Sequence, residues 1–301
     1  MLLSQFIKEG TSALEGLYPT AEARSIVLML CEHILGTKNY THIVEPSYEV
    51  PSAKEPSLEA AMDRLKNGEP IQYVTGQVEF CGHNFKVNSS VLIPRPETEL
   101  LCRSAITIGS RIRRMRIPYG KKADPVRILD LCTGSGCIAW TVALAIPGAT
   151  VLGVDISDEA LEVAKSQDFT QQLKEAEDAK APVFVKADVL DTEQDFPYGP
   201  FDLILSNPPY IMEKEKGLLR KNVLEYEPHP ALFVSDDDPL VFYRAIARWS
   251  ERFFSHDGTG LTEINEVLGA ESQSVFKEAG FNSVEIIKDF YDRNRFVIYK
   301  K

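Results

Sequence analysis

The alternation of short apolar runs with helical segments after Pro125 most restricts how this chain can fold. The predicted strands cover residues 126–131, 150–155, 183–187, 201–206 and 260–264. The predicted helices cover residues 137–146, 157–165 and 266–279. Strands separated by helices pair in parallel through right-handed crossovers. A last pair, 284–287 and 296–299, predicts antiparallel strands at one edge. The pattern therefore predicts an α/β fold with a mostly parallel sheet.

The region before this sheet has a different pattern. Leu3, Phe6 and Ile7 recur at helical spacing, and the whole stretch 1–70 predicts a small helical bundle. The apolar residues then fall in short extended runs broken by glycines, which predicts a β-hairpin linker. A further helix is predicted around 97–115. The predicted division of the chain is therefore 1–70, 71–96 and 97–301.

Composition disfavours several kinds of protein. The 301 residues carry 33 basic and 44 acidic side chains, a net charge of −11, which disfavours a free-standing nucleic-acid binder because phosphate neutralisation supplies most of its affinity. Five cysteines without a Cys-x-x-Cys pair indicate reduced thiols, and five scattered histidines predict no metal site. No run approaches the ~18 apolar residues of a membrane span. A cytoplasmic monomer that does not bind membranes is expected.

One basic cluster stands against this acidic background at the end of the predicted helix 97–115. Its members are Arg111, Arg113, Arg114, Arg116, Lys121 and Lys122. The cluster either contacts RNA or a ribosome-bound partner, or is a solvated face followed by a loop.

The tetrapeptide Asn-Pro-Pro-Tyr at 207–210 directly follows the predicted strand 201–206. Neither Pro208 nor Pro209 can donate a backbone N–H, so the strand ends in a stiff turn. Open α/β sheets bind ligands at this end of their strands. Asn207 offers an amide and Tyr210 a ring, which suits the binding of a flat, amide-like group. An ordinary strand-ending turn is the alternative, because Asn and Pro are common in turns.

A glycine-rich turn follows the first predicted strand of the sheet and consists of Cys132, Thr133, Gly134, Ser135 and Gly136. Glycine at such a junction lets the backbone approach a ligand closely. No Gly-Lys-Ser/Thr follows, so the turn is not a Walker loop and suits a nucleoside without phosphate. Asp155 ends the next strand 21 residues beyond Gly134, where a carboxylate can accept from two ribose hydroxyls.

These three features together resemble the class I S-adenosylmethionine-dependent methyltransferases that act on planar amino or amide nitrogens. Further stretches narrow the resemblance to the release factor glutamine methyltransferases of the HemK type, and they lie at residues 70–80, 91–99 and 225–232. The second reads Val-Leu-Ile-Pro-Arg-Pro-Glu-Thr-Glu and is the most characteristic. The similarity covers nearly the whole chain. It departs from the family at Cys132, where glycine is common, and at Val189, where an aromatic residue often lies by the adenine.

The resemblance implies a Rossmann-like methyltransferase domain at 97–301, a β-hairpin linker at 71–96 and a helical substrate-binding domain at 1–70. The implied cofactor is S-adenosyl-L-methionine, with S-adenosyl-L-homocysteine as product and no metal. The implied cofactor-binding residues are Cys132, Thr133, Gly134, Ser135, Gly136, Asp155, Asp188, Val189 and Asn207. Asp188 is either the partner of the adenine amino group or an ordinary loop acid.

The implied substrate is the glutamine of the Gly-Gly-Gln loop in class I peptide chain release factors, methylated on its N5 nitrogen. The Asn207 side-chain oxygen and the Pro208 carbonyl oxygen would accept the two amide hydrogens, with Pro209 in the same turn and Tyr210 as an aromatic wall. Arg95 and Glu97 either shape the substrate mouth or lock the linker through an ion pair.

Three other functions are compatible with the same motifs. Glutamine N5 methylation of a ribosomal protein uses the same chemistry on a different partner. An adenine-N6 nucleic-acid methyltransferase would need a basic face and a target-recognition segment, which the net charge of −11 disfavours. A non-catalytic module could keep the fold, although the intact turns at 132–136 and 207–210 argue against it.

Overall fold

The structure is a computed structural model that describes residues 1–116 and 124–301. In these ranges the helices are α1 (Leu3–Leu14), α2 (Thr20–Leu35), α3 (Thr41–Val44), α4 (Glu55–Lys66), α5 (Ile71–Thr75), α6 (Thr98–Met115), α7 (Cys137–Ala145), α8 (Asp158–Lys165), α9 (Thr170–Glu175), α10 (Lys221–Tyr226), α11 (His229–Leu232), α12 (Val241–Phe253) and α13 (Gly269–Glu278). Short 3₁₀ turns lie at Ser52–Lys54, Glu213–Leu218 and Glu266–Leu268. The strands are β1 (Gln77–Phe80), β2 (His83–Lys86), β3 (Arg127–Leu131), β4 (Thr150–Asp155), β5 (Val183–Lys186), β6 (Phe201–Ser206), β7 (Ile211–Met212), β8 (Phe233–Val234), β9 (Phe254–Glu263), β10 (Asn282–Lys288) and β11 (Asn294–Lys300).

The chain separates into two compact units, which are Met1–Gln77 with Leu219–Tyr226, and Val78–Leu218 with Glu227–Lys301. The return of residues 219–226 to the first unit is anchored by a hydrogen bond of 2.9 Å from the Tyr226 hydroxyl to the Asn67 carbonyl oxygen. No feature of the sequence signals this return, and the predicted division leaves it within 97–301. The boundaries at 70 and 96 stay a prediction.

The first unit is helical, which confirms the bundle expected there. Helices α1, α2 and α4 bury an apolar core in which Leu14, Leu30 and Leu58 have no exposed surface. Helix α2 ends at Gly36, whose φ of 71° is the left-handed conformation that glycine adopts without a steric penalty. Burial of one apolar face of each helix holds this unit together.

The second unit is built on a seven-stranded sheet with the order β10-β11-β9-β6-β3-β4-β5. Strands β9, β6, β3, β4 and β5 are parallel, and β11 is antiparallel to both β9 and β10. The predicted mostly parallel sheet with an antiparallel edge pair is therefore confirmed.

Both faces of this sheet are covered by apolar side chains. Leu203 packs in one core with Trp140 of α7, and Ile204 packs in the other with Trp249 of α12. Every residue of β6 is buried, which is why the central strands are continuous apolar runs rather than alternating ones. Across residues 1–116 and 124–301, no helix combines the length and apolar character needed to cross a membrane.

The order of the strands creates a crevice at one edge of the sheet. The chain proceeds outward from β3 to β4 and β5 and then returns to place β6 on the other side of β3. Parallel strands end at the same edge, so the turns that follow β3 and β6 lie side by side at this reversal of strand order. Doubly wound sheets bind their ligands at such a point.

Strand β9 is longer than predicted. It begins at Phe254 rather than at 260. The sequence pattern did not show its first six residues, because the exposed His256 and Asp257, at 97% and 95%, interrupt the apolar run. The strand ends at Glu263, on the same edge as the crevice.

The basic cluster at the end of α6 is partly engaged in ion pairs within the second unit. Arg116 donates two hydrogen bonds to the buried Asp202, at 2.6 and 2.7 Å. Arg113 lies 3.4 Å from Glu177. Lys121 and Lys122 lie outside the described residues. Arg116 therefore stabilises the end of the sheet where the parallel strands start, away from the crevice, since Asp202 lies at the start of β6.

Candidate functional site

The glycine-rich turn after β3 is held in a left-handed conformation at three positions. Cys132, Gly134 and Gly136 have φ of 60°, 52° and 78°. The Thr133 N–H donates to the Val154 carbonyl oxygen at 2.9 Å, which ties the turn to β4. The positive φ at Cys132 gives a physical reason why glycine suits this position, because a β-carbon is disfavoured there.

The two glycines of this turn have different surroundings. A β-carbon on Gly134 would meet no atom within 4 Å, and Gly134 lines a cavity. A β-carbon on Gly136 would lie 3.0 Å from Phe184 and 3.1 Å from Ala164. Gly134 therefore leaves room for a ligand, whereas Gly136 leaves room for side chains of the core and is the N-cap of α7.

Asp155 ends β4 beside this turn and is oriented by backbone groups. One carboxylate oxygen accepts from the Gly134 N–H at 2.9 Å and the other from the Ser157 N–H at 3.0 Å. Burial raises the pKa of Asp155, while these two N–H groups oppose the rise. Each oxygen retains a second lone pair, so the carboxylate can still accept from a ligand with two hydroxyl groups.

Asp130 lies one layer deeper, beneath the same turn. It is fully buried in β3 and accepts from the Thr133 hydroxyl at 2.6 Å. Burial raises the pKa of Asp130 to about 7, against the hydrogen bond from Thr133. The sequence motif includes this residue, but its role in fixing Thr133 follows only from the structure.

The Asn-Pro-Pro-Tyr turn is connected to a buried carboxylate at both ends. The Asn207 side-chain nitrogen donates to the Thr98 hydroxyl oxygen at 3.1 Å, and the Thr98 hydroxyl donates to Glu263 at 2.7 Å. The Tyr210 hydroxyl donates to the other oxygen of Glu263 at 3.1 Å. One side chain at the end of β9 therefore organises the whole turn.

Glu263 and Tyr210 are both shifted in pKa by burial. Burial raises the pKa of Glu263 to about 7, opposed by the hydrogen bonds from Thr98 and Tyr210. Burial, together with the negative charge of Glu263, raises the pKa of Tyr210 well above its ordinary value. Tyr210 therefore stays a neutral donor at physiological pH.

Asn265 holds the far side of the same turn. Its side-chain nitrogen donates to the Tyr210 carbonyl oxygen at 3.1 Å and to Glu215 at 2.9 Å, and its backbone N–H donates to the Tyr243 hydroxyl at 3.0 Å. These bonds come from the segment after β9, so the rigidity expected from two prolines is reinforced by tertiary contacts.

A cavity of about 340 Å³ lies between these groups, entirely within the second unit. The predicted site residues that line it are Cys132, Thr133, Gly134, Ser135, Asp155, Asp188, Val189, Asn207 and Pro209. Those that do not line it are Gly136, Pro208, Tyr210, Arg95 and Glu97. The cavity thus brings the glycine turn, the strand-end acid and the Asn207 amide together on one surface.

The residues predicted for an adenine pocket lie on the wall next to Asp155. Asp188 accepts from the Leu190 N–H at 2.8 Å through one side-chain oxygen. Val189 is buried and its carbonyl oxygen accepts from Trp249 at 2.9 Å. Their contact with an adenine stays a prediction.

Arg95 forms an ion pair, but its partner is Glu227 rather than Glu97. The Arg95 guanidinium donates to Glu227 at 2.6 Å, and the second oxygen of Glu227 accepts from the Ile93 N–H at 3.1 Å. The Glu227 side chain is 1% exposed, whereas Glu97 is exposed at the start of α6. This geometry favours the interpretation that Arg95 locks the linker.

Sequence reasoning missed several residues of this site. Thr98 and Glu263 were not assigned to the site, although Thr98 lies in the stretch 91–99 that resembles the family. Further cavity-lining residues were also not assigned, among them Ser90, Val91, Leu92, Pro94, Phe242, Pro228, Pro230 and Ala231. Glu263 carried a usable signal, since it is an acid at the end of a parallel strand, as Asp155 is. Within the described ranges 1–116 and 124–301, no group of three or more His, Cys, Asp or Glu side chains could hold a metal ion.

Comparison with known proteins places this geometry in a family. The methyltransferase domain family matches residues 122–280, and the PrmC N-terminal domain family matches residues 5–76. The release factor glutamine methyltransferase of Flavobacterium psychrophilum is 34% identical over 297 residues, which are 99% of this chain and 98% of that protein. That of Bacteroides thetaiotaomicron is 34% identical over 283 residues, 94% of each chain.

Solved structures support the fold alone. The hMettl16 catalytic domain is 12% identical with a TM-score of 0.50, and the match covers 82% of this chain and 81% of that chain. The sequence relatives carry the assignment further, because their identity extends through both units. By this identity and coverage, the chain belongs to the release factor glutamine methyltransferase family.

Proposed function

We propose that this protein transfers a methyl group from S-adenosyl-L-methionine to the N5 nitrogen of a glutamine side chain, the glutamine of the Gly-Gly-Gln loop in peptide chain release factors. The observation that carries the proposal is the orientation of Asn207. Its side-chain nitrogen is bound to Thr98, so its oxygen is the end left for the cavity that it shares with Asp155 and Gly134. An acceptor at that point matches the NH₂ group of a carboxamide.

The residues on one side of the cavity fit S-adenosyl-L-methionine. Gly134 leaves open space for close approach of a ligand, and Asp155 keeps acceptor capacity for two ribose hydroxyls. Asp188 and Val189 line the same cavity and are the proposed wall for the adenine. When bound, the cofactor supplies an electrophilic methyl group on a sulfonium, so the protein itself needs no nucleophile and no metal.

The task left to the chain is to position a poor nucleophile. An amide nitrogen has its lone pair delocalised into the carbonyl group, so orientation and local electrostatics must compensate. The Asn207 oxygen and the Pro208 carbonyl oxygen would accept the two amide hydrogens and favour positive charge developing on the nitrogen. Pro208 is buried, and Pro209 after it restricts the ψ angle of Pro208, which limits rotation of this carbonyl.

The Asn207 site selects a carboxamide, and the protein that carries this carboxamide is inferred from the relatives. The relatives named above act, by name, on release factors, and their similarity includes the first unit of this chain. A release factor substrate also implies a cytoplasmic location. The acidic net charge of −11 argues against DNA as substrate, because nothing in the overall charge would offset phosphate repulsion.

The proposal is tested by incubating the protein with isotopically labelled S-adenosyl-L-methionine and, separately, a release factor, ribosomal proteins and DNA. Label on the release factor, mapped by mass spectrometry to the Gly-Gly-Gln glutamine and absent after Gln→Ala substitution there, is expected. Label only on a ribosomal protein or on DNA would reject it.

Two variants separate the roles of the residues. Asn207→Ala is expected to lower kcat by about 10²–10³-fold with cofactor affinity near normal, because it removes one preorganised electrostatic contact. Asp155→Ala is expected to weaken cofactor binding in a calorimetric titration. Normal turnover by the first or normal affinity in the second would contradict the assigned role.

A further inference from the structure

We propose that Thr98 and Glu263 are positioning residues that fix which end of the Asn207 carboxamide faces the substrate. This inference rests on the proposed function, in which the Asn207 oxygen accepts from the substrate amide. It assigns a purpose to a threonine of the stretch 91–99 and to a glutamate of β9, for which neither the sequence motifs nor the comparisons give a role.

The direction of the hydrogen bonds follows from the chemistry of Glu263. An ionised carboxylate can only accept hydrogen bonds, so the Thr98 hydroxyl donates its single hydrogen to Glu263, at 2.7 Å. The Thr98 oxygen then has only lone pairs to offer Asn207, at 3.1 Å. Asn207 must therefore turn its NH₂ group toward Thr98, which leaves its carbonyl oxygen as the end available to the cavity.

The opposite orientation of the amide would be unproductive. It would direct the Asn207 NH₂ group at the substrate NH₂ group, so that two donors would face each other without an acceptor. It would also set the Asn207 oxygen against a Thr98 oxygen that has no hydrogen left. A buried donor or acceptor without a partner is costly, so the chain of bonds selects one orientation.

The surroundings make this selection firm. Thr98 is 2% exposed and Glu263 is 4% exposed, so water does not compete for their hydrogen bonds. The second oxygen of Glu263 accepts from the Tyr210 hydroxyl at 3.1 Å. Asn207, through Thr98, and Tyr210, directly, are thus hydrogen-bonded to the same buried carboxylate, and Tyr210 does not line the cavity.

The ionised form of Glu263 is essential to this arrangement. A protonated carboxyl could donate to Thr98, which would free the Thr98 hydrogen for the Asn207 oxygen and remove the bias. Burial raises the pKa of Glu263 to about 7, opposed by the hydrogen bonds from Thr98 and Tyr210. Glu97 raises and Arg295 lowers the pKa of Glu263, whereas Tyr243 raises and Arg95 lowers the pKa of Tyr210.

The test compares steady-state kinetics of isosteric variants on the release factor substrate. Thr98→Val keeps the shape of the side chain but removes the hydroxyl, and Glu263→Gln replaces the acceptor-only group with one that also donates. Both are expected to lower kcat about 10–100-fold, the size of effect known for residues that orient a metal-binding side chain through a hydrogen bond. KM and the cofactor Kd are expected to stay near wild-type values, because the docking surface and the cofactor wall are unchanged.

Two further variants exclude a merely structural effect. Thr98→Ser retains the hydroxyl and is expected to keep most of the wild-type kcat. Thr262→Val removes a buried hydroxyl from the neighbouring position of β9, on the opposite face of the strand, and is expected to leave the kinetics unchanged. In the wild type, kcat is expected to fall as the pH drops below about 7, the pKa of Glu263, and this acid limb should be lost in Glu263→Gln.

The outcomes distinguish this inference from the proposed function. Wild-type kcat in both Thr98→Val and Glu263→Gln, with Asn207→Ala inactive, overturns the positioning role and leaves the glutamine chemistry intact. An equal loss in Thr98→Ser and Thr98→Val also overturns it, since the hydroxyl would then be irrelevant. A wild-type protein that methylates no glutamine rejects the proposed function and the inference with it.

Discussion

Alanine at Gly134 and alanine at Gly136 form a matched pair that separates cofactor binding from folding. Both glycines have a left-handed backbone, with φ of 52° and 78°. A β-carbon in this region costs roughly 1–2 kcal/mol. The backbone cost is therefore similar in the two variants, and any difference between them comes from what the added methyl group meets.

The methyl group meets the core at one position and the cavity at the other. At Gly136 it would lie 3.0 Å from Phe184 and 3.1 Å from Ala164, both buried. Overpacking of this kind costs about 1–3 kcal/mol, which brings the total for Gly136→Ala to about 2–5 kcal/mol. At Gly134 nothing lies within 4 Å, so the total stays at about 1–2 kcal/mol.

The assay is urea denaturation followed by tryptophan fluorescence, combined with calorimetric titration of S-adenosyl-L-methionine. The chain has two tryptophans, Trp140 and Trp249, and they lie in the two cores of the second unit. Their fluorescence therefore reports the unfolding of the unit that carries both glycines. Gly134→Ala is expected to weaken cofactor binding about tenfold or more, because its methyl group enters the space beside Asp155.

The reasoning is refuted by either of two results. One is a Gly136→Ala variant with the stability of the wild type, which would mean that Phe184 and Ala164 give way freely. The other is a Gly134→Ala variant that binds S-adenosyl-L-methionine with undiminished affinity, which would mean that no ligand approaches this backbone.

Two further predictions concern buried charges. Arg116→Met is expected to lower the free energy of unfolding by about 3 kcal/mol, because it leaves Asp202 buried without its bidentate partner. The control in the same urea assay is Arg111→Met, at an exposed position of α6, the helix that Arg116 follows directly. Equal stability of the two variants would contradict the prediction. Folding raises the pKa of Asp130 from 3.8 to about 7, so the native state holds the extra proton and the free energy of unfolding falls as the pH rises through that window, by up to about 1.4 kcal/mol per pH unit. Asp130→Asn should remove the contribution of Asp130 to this pH dependence. A slope of the same sign should remain between pH 4.5 and about 7, because folding also raises the pKa of Glu263. A pH slope of the unfolding free energy equal to that of the wild type would argue against the assignment.

Strands β4 and β6 could be predicted to the residue and β3 to within one residue, and the physical reason is their burial. Strands β4 and β6 were expected at 150–155 and 201–206 and are found there. Both strands end at an abrupt change from apolar to polar residues, because helices cover both faces of the sheet, whereas the carboxyl ends of the strands border the crevice. In β9 the polar start hid six residues of the strand, since exposed positions there impose no apolar pattern.

The cavity wall could be predicted only where a motif is local. The turn at 132–136 and the Asn-Pro-Pro-Tyr turn are contiguous, so their residues can be recognised without knowing the fold. Arg95 and Glu227 are separated by 132 positions, and Thr98 and Glu263 by 165. Such pairs are brought together by the fold, and although Arg95, Thr98 and Glu227 lie in the stretches that resemble the family, the sequence does not show which residue contacts which.

Tyr210 makes contacts that its motif does not indicate, and its role as an aromatic wall for the substrate stays a prediction. An aromatic ring beside a predicted substrate turn suggests a wall, and the interpretation needs no other residue. A tyrosine also carries a hydroxyl that must find a partner when it is buried, and Glu263 supplies one 3.1 Å away. The ring also packs against one core of the second unit, and Tyr210 does not line the cavity.

The polarity of the site depends on a charge that the sequence pattern conceals. A carboxamide has two chemically opposite ends of nearly equal size, so an asparagine in a motif leaves open whether it offers a donor or an acceptor. The answer in this fold comes from an acceptor-only group two hydrogen bonds away, at the end of a different strand. Chemistry at the Asn-Pro-Pro-Tyr turn is therefore a property of β6 and β9 together, and a chain that kept the tetrapeptide but lost the carboxylate of β9 would keep the motif without its direction.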